Sequence, residues 1–339
     1  MKVNRNISLK PYNTFGLDYK ADYLVTVSND KAAVACFKEG GLPAEPLLIM
    51  GEGSNILFIS DYNGTIFHPE IKGIKLESQE GREVLVSAGA GVNWDHLVEW
   101  CVSRGYGGIE NLSYIPGAVG AAPIQNIGAY GMEVKDSVVK VTAISKEDGS
   151  MTEFSNEECR FGYRDSIFKK ELKGKYLIVK VCFRLNTSPV INTNYDFLKD
   201  ETLRLGGETL ENIRQAVINI RRGKLPDPEI LGNAGSFFKN PVVSNMVADN
   251  LRLRYPLLPS YPDKSGGVKL AAGWMIEKCG WKGKRIGDAG VHDKQALVLV
   301  NHGTATGREI FDLSEKIRTS VLEKFGIELQ REVEVIGIT

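Results

Sequence analysis

The sequence predicts an α/β protein of two domains, and three observations carry that prediction. At 339 residues the chain is long enough for two separate cores. In its first part, short strand-like apolar runs alternate with runs of helical spacing, whereas after about residue 205 longer helical patterns dominate. Between the two textures lies "NTSPVINTNYDFLKD", residues 186–200, polar and turn-rich as a connection between domains is.

In chain order, "ADYLVTV" (21–27) has strand periodicity, "DKAAVACFKEG" (30–40) has helical spacing, and "PLLIMG" and "NILFIS" are strands around a glycine-bearing turn. "EVLVSAGAG" (83–91) continues as a strand, and "NWDHLVEWCVSRG" (93–105) is a helix with Asn93 as N-cap and Gly105 as stop. "VVKVTAIS", "SMTEFS" and "KYLIVKVCFRL" are strands, the first two joined by a hairpin signal at "EDG" (147–149). Beyond 205, "ETLENIRQAVINIRRG", "KLAAGWMIEKCG" and "REIFDLSEKIRTSVLEKFG" are helices, and "QALVLVN" and "EVEVIGI" are strands.

Composition excludes several function classes. Lys plus Arg number 42 and Asp plus Glu number 42, so no charge excess advertises a nucleic-acid or anionic-membrane partner. Any bound anion needs a local constellation of donors. The cysteines (Cys36, Cys101, Cys159, Cys182, Cys279) are scattered with no CxxC pair, which argues against a disulfide framework and a zinc site and fits a reducing cytoplasm. His68, His96, His292 and His302 lie far apart without ligand spacing, so no metal is expected. "MKVNRNISLKPYNTFG" lacks the apolar run of a signal peptide, and no stretch of about 18 apolar residues occurs, so neither export nor membrane insertion is expected.

Two glycine-bearing segments are suited to close backbone approach to a ligand: "GEGSN", Gly51–Asn55, and "IPGAVGAAPIQNIGAYG", Ile115–Gly131. Small residues let main-chain N–H groups reach phosphate oxygens with no Cβ in the way. "GEGSN" is not the GxGxxG of a dinucleotide site, because a strand and not a helix follows it. The second segment is an apolar loop of a length that is usually functional or disordered, and its apolar content argues against disorder. "GNAGSFFKNP" (232–241) sets Ser236 among small residues before two aromatics; alone it could be an ordinary turn.

These segments, with "NTFG" (13–16), "CRFGYRDSIFK" (159–169), "GKLPDP" (223–228), "VKLAAGWMIE" (268–277) and "EVEVIG" (332–337), resemble in order and spacing the UDP-N-acetylenolpyruvoylglucosamine reductases, the MurB flavoenzymes. The resemblance runs from about residue 10 to about 337. It implies an α+β fold: an FAD-binding domain of the vanillyl-alcohol oxidase type over 1–204, with subdomains of roughly 1–60 and 61–204, then a smaller α+β substrate-binding domain over 205–339. The last strand, 331–338, would return toward the first domain. Non-covalent FAD, NADPH as co-substrate and UDP-N-acetylglucosamine enolpyruvate as substrate are implied, in a cytoplasmic monomer of peptidoglycan precursor synthesis. Another flavoenzyme of that fold or a non-catalytic nucleotide-sugar binder is the alternative, and neither accounts for Ser236, Arg164 and Glu332 together.

By that resemblance Ser236 gives a proton to the enolate carbon, with Gly235 allowing close approach to the flavin. Arg164 pairs with the substrate carboxylate, where a planar permanent cation suits an enolate, and the plain alternative is a salt bridge to Asp165. Glu332 is the third catalytic group, since a carboxyl facing another carboxylate can donate a hydrogen bond when protonated. Glu334 points the same way by strand alternation, and only the motif favours Glu332. FAD is expected along Gly51, Glu52, Gly53, Ser54 and Asn55 near the diphosphate. It would also run along Ile115, Pro116, Gly117, Gly120 and Ala121, and along Gln125, Asn126, Ile127, Gly128, Ala129 and Gly131, where the ring lies. Tyr163, Tyr195, Lys224, Asn240, Tyr261, Lys282 and Gln295 are the implied substrate contacts, and the proline- and glycine-rich run around Tyr261 resembles the mobile tyrosine loop of one subgroup.

Overall fold

The computed structural model describes residues 1–38, 40–195, 197–263 and 266–337. Glu39 of the first helical run, Asp196 of the linker, Lys264 and Ser265 of the tyrosine segment and Ile338 of the terminal strand lie outside the described residues. The fold is α+β, and the chain divides into two compact units, each discontinuous in sequence.

The first unit takes Met1–Ile7, Ala21–Glu52 and Asn63–Gly223. Its main sheet is five-stranded and antiparallel, ordered Met151–Ser155, Val138–Ser145, Tyr176–Asn186, Glu83–Gly89, Ile74–Glu80. The central strand Tyr176–Asn186 is buried almost throughout, with Val181 opposite Val141 on one side and Ala88 on the other. Helix α2, Trp94–Val102, lays Trp94, Leu97, Val98 and Cys101 on this core, and the Trp94 and Phe183 rings meet edge to face at 5.8 Å. Asn93 caps it as the sequence predicts, its Oδ1 accepting from His96 N at 3.1 Å. A second, four-stranded sheet, Lys2–Ser8, Lys20–Val27, Tyr62–Pro69, Leu47–Ile49, carries α1, Asp30–Lys38. Helices α3, Leu198–Arg204, and α4, Leu210–Lys224, follow the linker. The apolar stripe Ile213, Ala216 and Val217 of α4 packs on Leu198, Tyr130 and Ile191, which keeps α4 with the first unit although it lies beyond residue 205.

The second unit takes Ser8–Lys20, Gly53–Tyr62 and the chain from Lys224 onward. Gly232–Ser236, Val298–Asn301, Ala289–Val291 and Arg285–Ile286 form a four-stranded sheet, and Val242–Val243, Val268–Leu270 and Ser260–Pro262 form a smaller three-stranded one. Helices α5, Asn245–Arg254, α6, Ala272–Lys278, and α7, Gly307–Phe325, cover them. In α7 the spacing Ile310, Leu313, Ile317, Val321 presents one apolar face to a core that includes Phe237, Phe238, Met275 and Leu299. A reciprocal Thr306–Glu309 capping box starts α7, and Gly326 at φ +69° ends it. Glu334–Ile336 pairs in parallel with Ile56–Phe58, so the end of the described chain and the segment after "GEGSN" share one ladder. No described helix is long and apolar enough to cross a membrane.

Candidate functional site

Ser236 ends the strand Gly232–Ser236, and the pairing with Val298–Asn301 slips between Asn233 and Ser236. The slip is a bulge, and Gly235 within it has φ +68°. Bulges near chemistry re-aim side chains, and a left-handed residue there is readily glycine. A Cβ on Gly235 would meet nothing within 4 Å, so its glycine is explained by conformation. Asn233, buried, ties the bulge down: its Oδ1 accepts from Gly235 N at 3.0 Å while its Nδ2 donates to Leu231 O at 2.8 Å and Pro226 O at 3.2 Å. Phe237 and Phe238, fully buried with rings 5.3 Å apart, belong to the core of the second unit.

Glu332 lies beside this strand. Glu332 N donates to Phe237 O at 2.8 Å, Lys239 N donates to Gln330 O at 2.9 Å, and Phe238 and Arg331 form an antiparallel bridge. Two residues that the sequence sets almost a hundred positions apart are thereby one pairing step apart. On its other side the Glu332 carbonyl accepts from Asn55 Nδ2 at 3.2 Å, and Glu334 N donates to Asn55 O at 3.0 Å. Glu332 is half-buried and Glu334 exposed, which separates the two glutamates that strand alternation leaves equivalent. The "NTFG" segment joins the set: Thr14 N donates to Gly53 O at 3.3 Å, and Asn233 N donates to Thr14 O at 3.0 Å.

The remaining positions of the second unit are partly structural. Asn240 Oδ1 accepts from Ala272 N at 3.0 Å at the start of α6, Lys282 pairs with Glu277 at 3.1 Å, and Gln295 Oε1 accepts from Leu297 N at 3.4 Å. Tyr261 is half exposed on the edge strand Ser260–Pro262, and Lys224 is exposed.

In the first unit the loop Ile115–Gly131 is held at named points. Glu52 accepts from Gly117 N at 3.2 Å and from Asn93 Nδ2 at 3.1 Å, so one carboxylate clasps the "GEGSN" turn to the loop. Gly117 has φ +121°, which only glycine adopts readily. A Cβ on Gly120 would crowd Ala90, and one on Gly128 would crowd Met132 O and Arg164, so these glycines serve the protein's own packing. Asn126 is fully buried, with Nδ2 donating to Gly162 O at 2.9 Å and Oδ1 accepting from Lys135 N at 3.1 Å. Ile127 is buried, Gly128–Ala129 pairs with Met132–Glu133, and Pro116, Ala121 and Gly131 are exposed.

Arg164 sits at φ +53°, in a tight Gly162–Asp165 bridge, a conformation that costs a non-glycine residue energy and clusters at functional sites. Its Nη2 donates to Gly128 O at 2.7 Å, and its guanidinium lies 5.7 Å from the Tyr163 ring. Asp165 pairs with Lys170. Tyr195 meets Tyr130 edge to face at 5.6 Å.

Helix α4 supplies residues that the sequence reading passed over. Arg214 grips Asp95 through two bonds of 2.5 and 2.9 Å, Asp95 also accepts from Tyr114 N at 2.6 Å, and Arg221 Nε donates to Tyr114 O at 2.9 Å. Burial alone would raise Asp95, but Arg214, the Tyr114 N–H and Arg221 outweigh it and hold the carboxyl below its usual range. Burial lowers the Arg221 pKa and raises that of Tyr130. Tyr114, at φ +59°, is thus fixed at the mouth of the loop. The signal was the i, i+7 arginine pair on a helix otherwise read only for its apolar face.

The turn Gly51–Asn55 and the loop Ile115–Gly131 carry a hydroxyl at Ser54 and a carboxamide at Gln125, the kinds of group that meet phosphates and a ring edge. Beside these segments, the buried Thr14 Oγ1 and Asn111 Oδ1 have no hydrogen-bond partner among the described residues. The residues present fit FAD.

Comparison with known proteins agrees. The profile of the FAD binding domain matches residues 21–155, and that of the UDP-N-acetylenolpyruvoylglucosamine reductase C-terminal domain matches 227–336. The chain is 46% identical over 328 residues to the UDP-N-acetylenolpyruvoylglucosamine reductase of Pseudomonas putida, covering 96% of both chains. The chain belongs to the UDP-N-acetylenolpyruvoylglucosamine reductase family. The Chromobacterium violaceum member is also 46% identical, over 335 residues and 98% of each chain. A crystal structure of the Thermus caldophilus enzyme, 24% identical, superposes with a TM-score of 0.70 over 99% of both chains and agrees in fold. As a member of this family the chain is an oxidoreductase whose cofactor is FAD.

Proposed function

We propose that the chain reduces UDP-N-acetylglucosamine enolpyruvate to UDP-N-acetylmuramate with electrons from NADPH. The observation that supports this reading most is the antiparallel pairing in which Glu332 N donates to Phe237 O, one residue after Ser236. FAD, when bound, supplies the hydride chemistry. The protein's own task is to hold the enol ether, stabilise charge next to its carboxylate and deliver one proton to carbon.

Arg164 is the residue for the carboxylate: its fork is always charged and planar, and a packed, left-handed backbone limits its reorientation as charge develops. Ser236 donates the proton. A hydroxyl is a weak acid, yet an enolate carbon is basic enough to accept when geometry is fixed beforehand, and the bulge and Asn233 fix it. Glu332 is the third catalytic group and assists the carboxylate of the enolate. Tyr163, Tyr195, Lys224, Asn240, Tyr261, Lys282 and Gln295 contact the nucleotide-sugar, with cations and hydroxyls meeting the diphosphate. Gly51 to Asn55 and the loop Ile115–Gly131 hold FAD. The reading includes a cytoplasmic monomer and a tyrosine segment that closes on bound substrate.

Mass spectrometry of the product tests the reaction. Purified protein with FAD, NADPH and the enol ether is expected to yield the substrate plus two hydrogens, with NADPH consumed in equal amount. NADPH consumption without a change in the enol ether would contradict it.

A further inference from the structure

The cofactor turn and the catalytic glutamate are joined by one side chain. Glu332 presents its carboxyl from a main chain gripped on both sides, by Phe237 O on its N–H and by Asn55 Nδ2 on its carbonyl. Asn55 takes a second hold two residues on, where its own carbonyl accepts from Glu334 N, and the next residue, Ile56, opens the parallel ladder to Glu334–Ile336. The turn that carries Asn55 is anchored in turn, since Gly53 O accepts from Thr14 N and a Cβ on Gly53, at φ +63°, would collide with Tyr12 O. A displacement of this turn therefore moves the main chain of Glu332, and an ordered turn fixes it.

Resting on the proposed reaction, we infer that Asn55 is a positioning residue for Glu332, so that filling the cofactor turn also sets the carboxyl that assists the enolate. The coupling is local, through one side-chain hydrogen bond and one main-chain bond, and both sites bias the same short ladder. A misplacement of about 1 Å at a catalytic group can cost on the order of a hundredfold in rate. Because Asn55 also lies in the turn proposed to hold FAD, loss of its donor should slow substrate reduction more than the NADPH step.

The test uses full-length protein saturated with FAD, with two variants: Asn55→Ala, which removes the donor, and Asn55→Asp, which keeps the size and puts an acceptor against the Glu332 carbonyl. Stopped-flow absorbance reads flavin reduction by NADPH and reoxidation by the enol ether separately. Expected is reoxidation slowed by about 10- to 100-fold more than reduction in both variants. Equal loss in the two half-reactions, or loss in neither, overturns the assignment. Amide exchange in the wild type supplies a measurement independent of turnover and of variant folding: FAD is expected to slow exchange at Glu332 and Glu334, and unchanged exchange there overturns the coupling. If wild-type flavin is not reoxidised by the enol ether, the proposed reaction fails while the exchange result still decides the role of Asn55.

Discussion

The role proposed for Ser236 rests on a conformation as much as on its hydroxyl. The bulge at Gly235 and the three bonds of Asn233 place it, so its removal should be felt in one step. Ser236→Ala is expected to leave flavin reduction by NADPH within about twofold and to slow reoxidation by the enol ether by about a thousandfold, read by single-turnover absorbance. Equal slowing of both steps would remove the proton-donor role. Gly235→Ala has room for its methyl but not a favoured backbone, and should cost about 1–2 kcal/mol in urea unfolding through left-handed strain. The motif made Ser236 visible in the sequence, and the bulge was not visible, because a glycine before a serine reads equally well as a turn. Asn126 shows the same limit: the motif singles it out as a cofactor contact and gives no sign that its carboxamide donates to Gly162 O and accepts from Lys135 N.

At the level of elements, helices with strong punctuation were legible. Asn93 caps α2, and Gly326 ends α7, where the sequence placed them. Strands supported by long-range pairing were not. Lys2–Ser8 and Ile74–Glu80 are largely exposed, so they carry no clear alternation, and main-chain bonds to neighbours define them. Helix α5 was missed because Ala248 and Leu251 are its buried residues while Met246 and Leu253 face outward, which blurs the apolar stripe. The Asp95–Arg214 pair ties α4 to α2 and to Tyr114. Both side chains are mostly buried, so Asp95→Asn should lower stability by about 2–3 kcal/mol, measured as a shift in the urea midpoint at unchanged slope. A loss under about 0.5 kcal/mol would reduce the pair to a surface ion pair.

Across the whole molecule, the discontinuous units explain what a linear reading cannot see. Segments 8–20 and 53–62 belong with the C-terminal part because Glu334 pairs with Ile56 and Asn233 with Thr14, contacts that leave no local trace in the sequence. Acid should weaken both units. Hydrogen bonds from Arg204 and Asn219 hold Glu201 down to about 2, and those from Thr304 and Arg285 hold Asp288 down to about 2. Carboxyls depressed in the folded state bind fewer protons than in the unfolded chain, so their stabilisation is present above the unfolded value, near 4, and is lost as pH falls toward 2. The melting temperature should therefore hold from neutral pH to about 5 and fall below about 4, with a smaller fall in Asp288→Asn. A melting curve of equal slope in that variant would remove Asp288 from the account. The central claim is tested most directly by the visible spectrum of the FAD-loaded protein without oxygen. NADPH should bleach the flavin band and UDP-N-acetylglucosamine enolpyruvate should restore it, whereas a band that bleaches and stays bleached after the enol ether is added would contradict the assigned reaction.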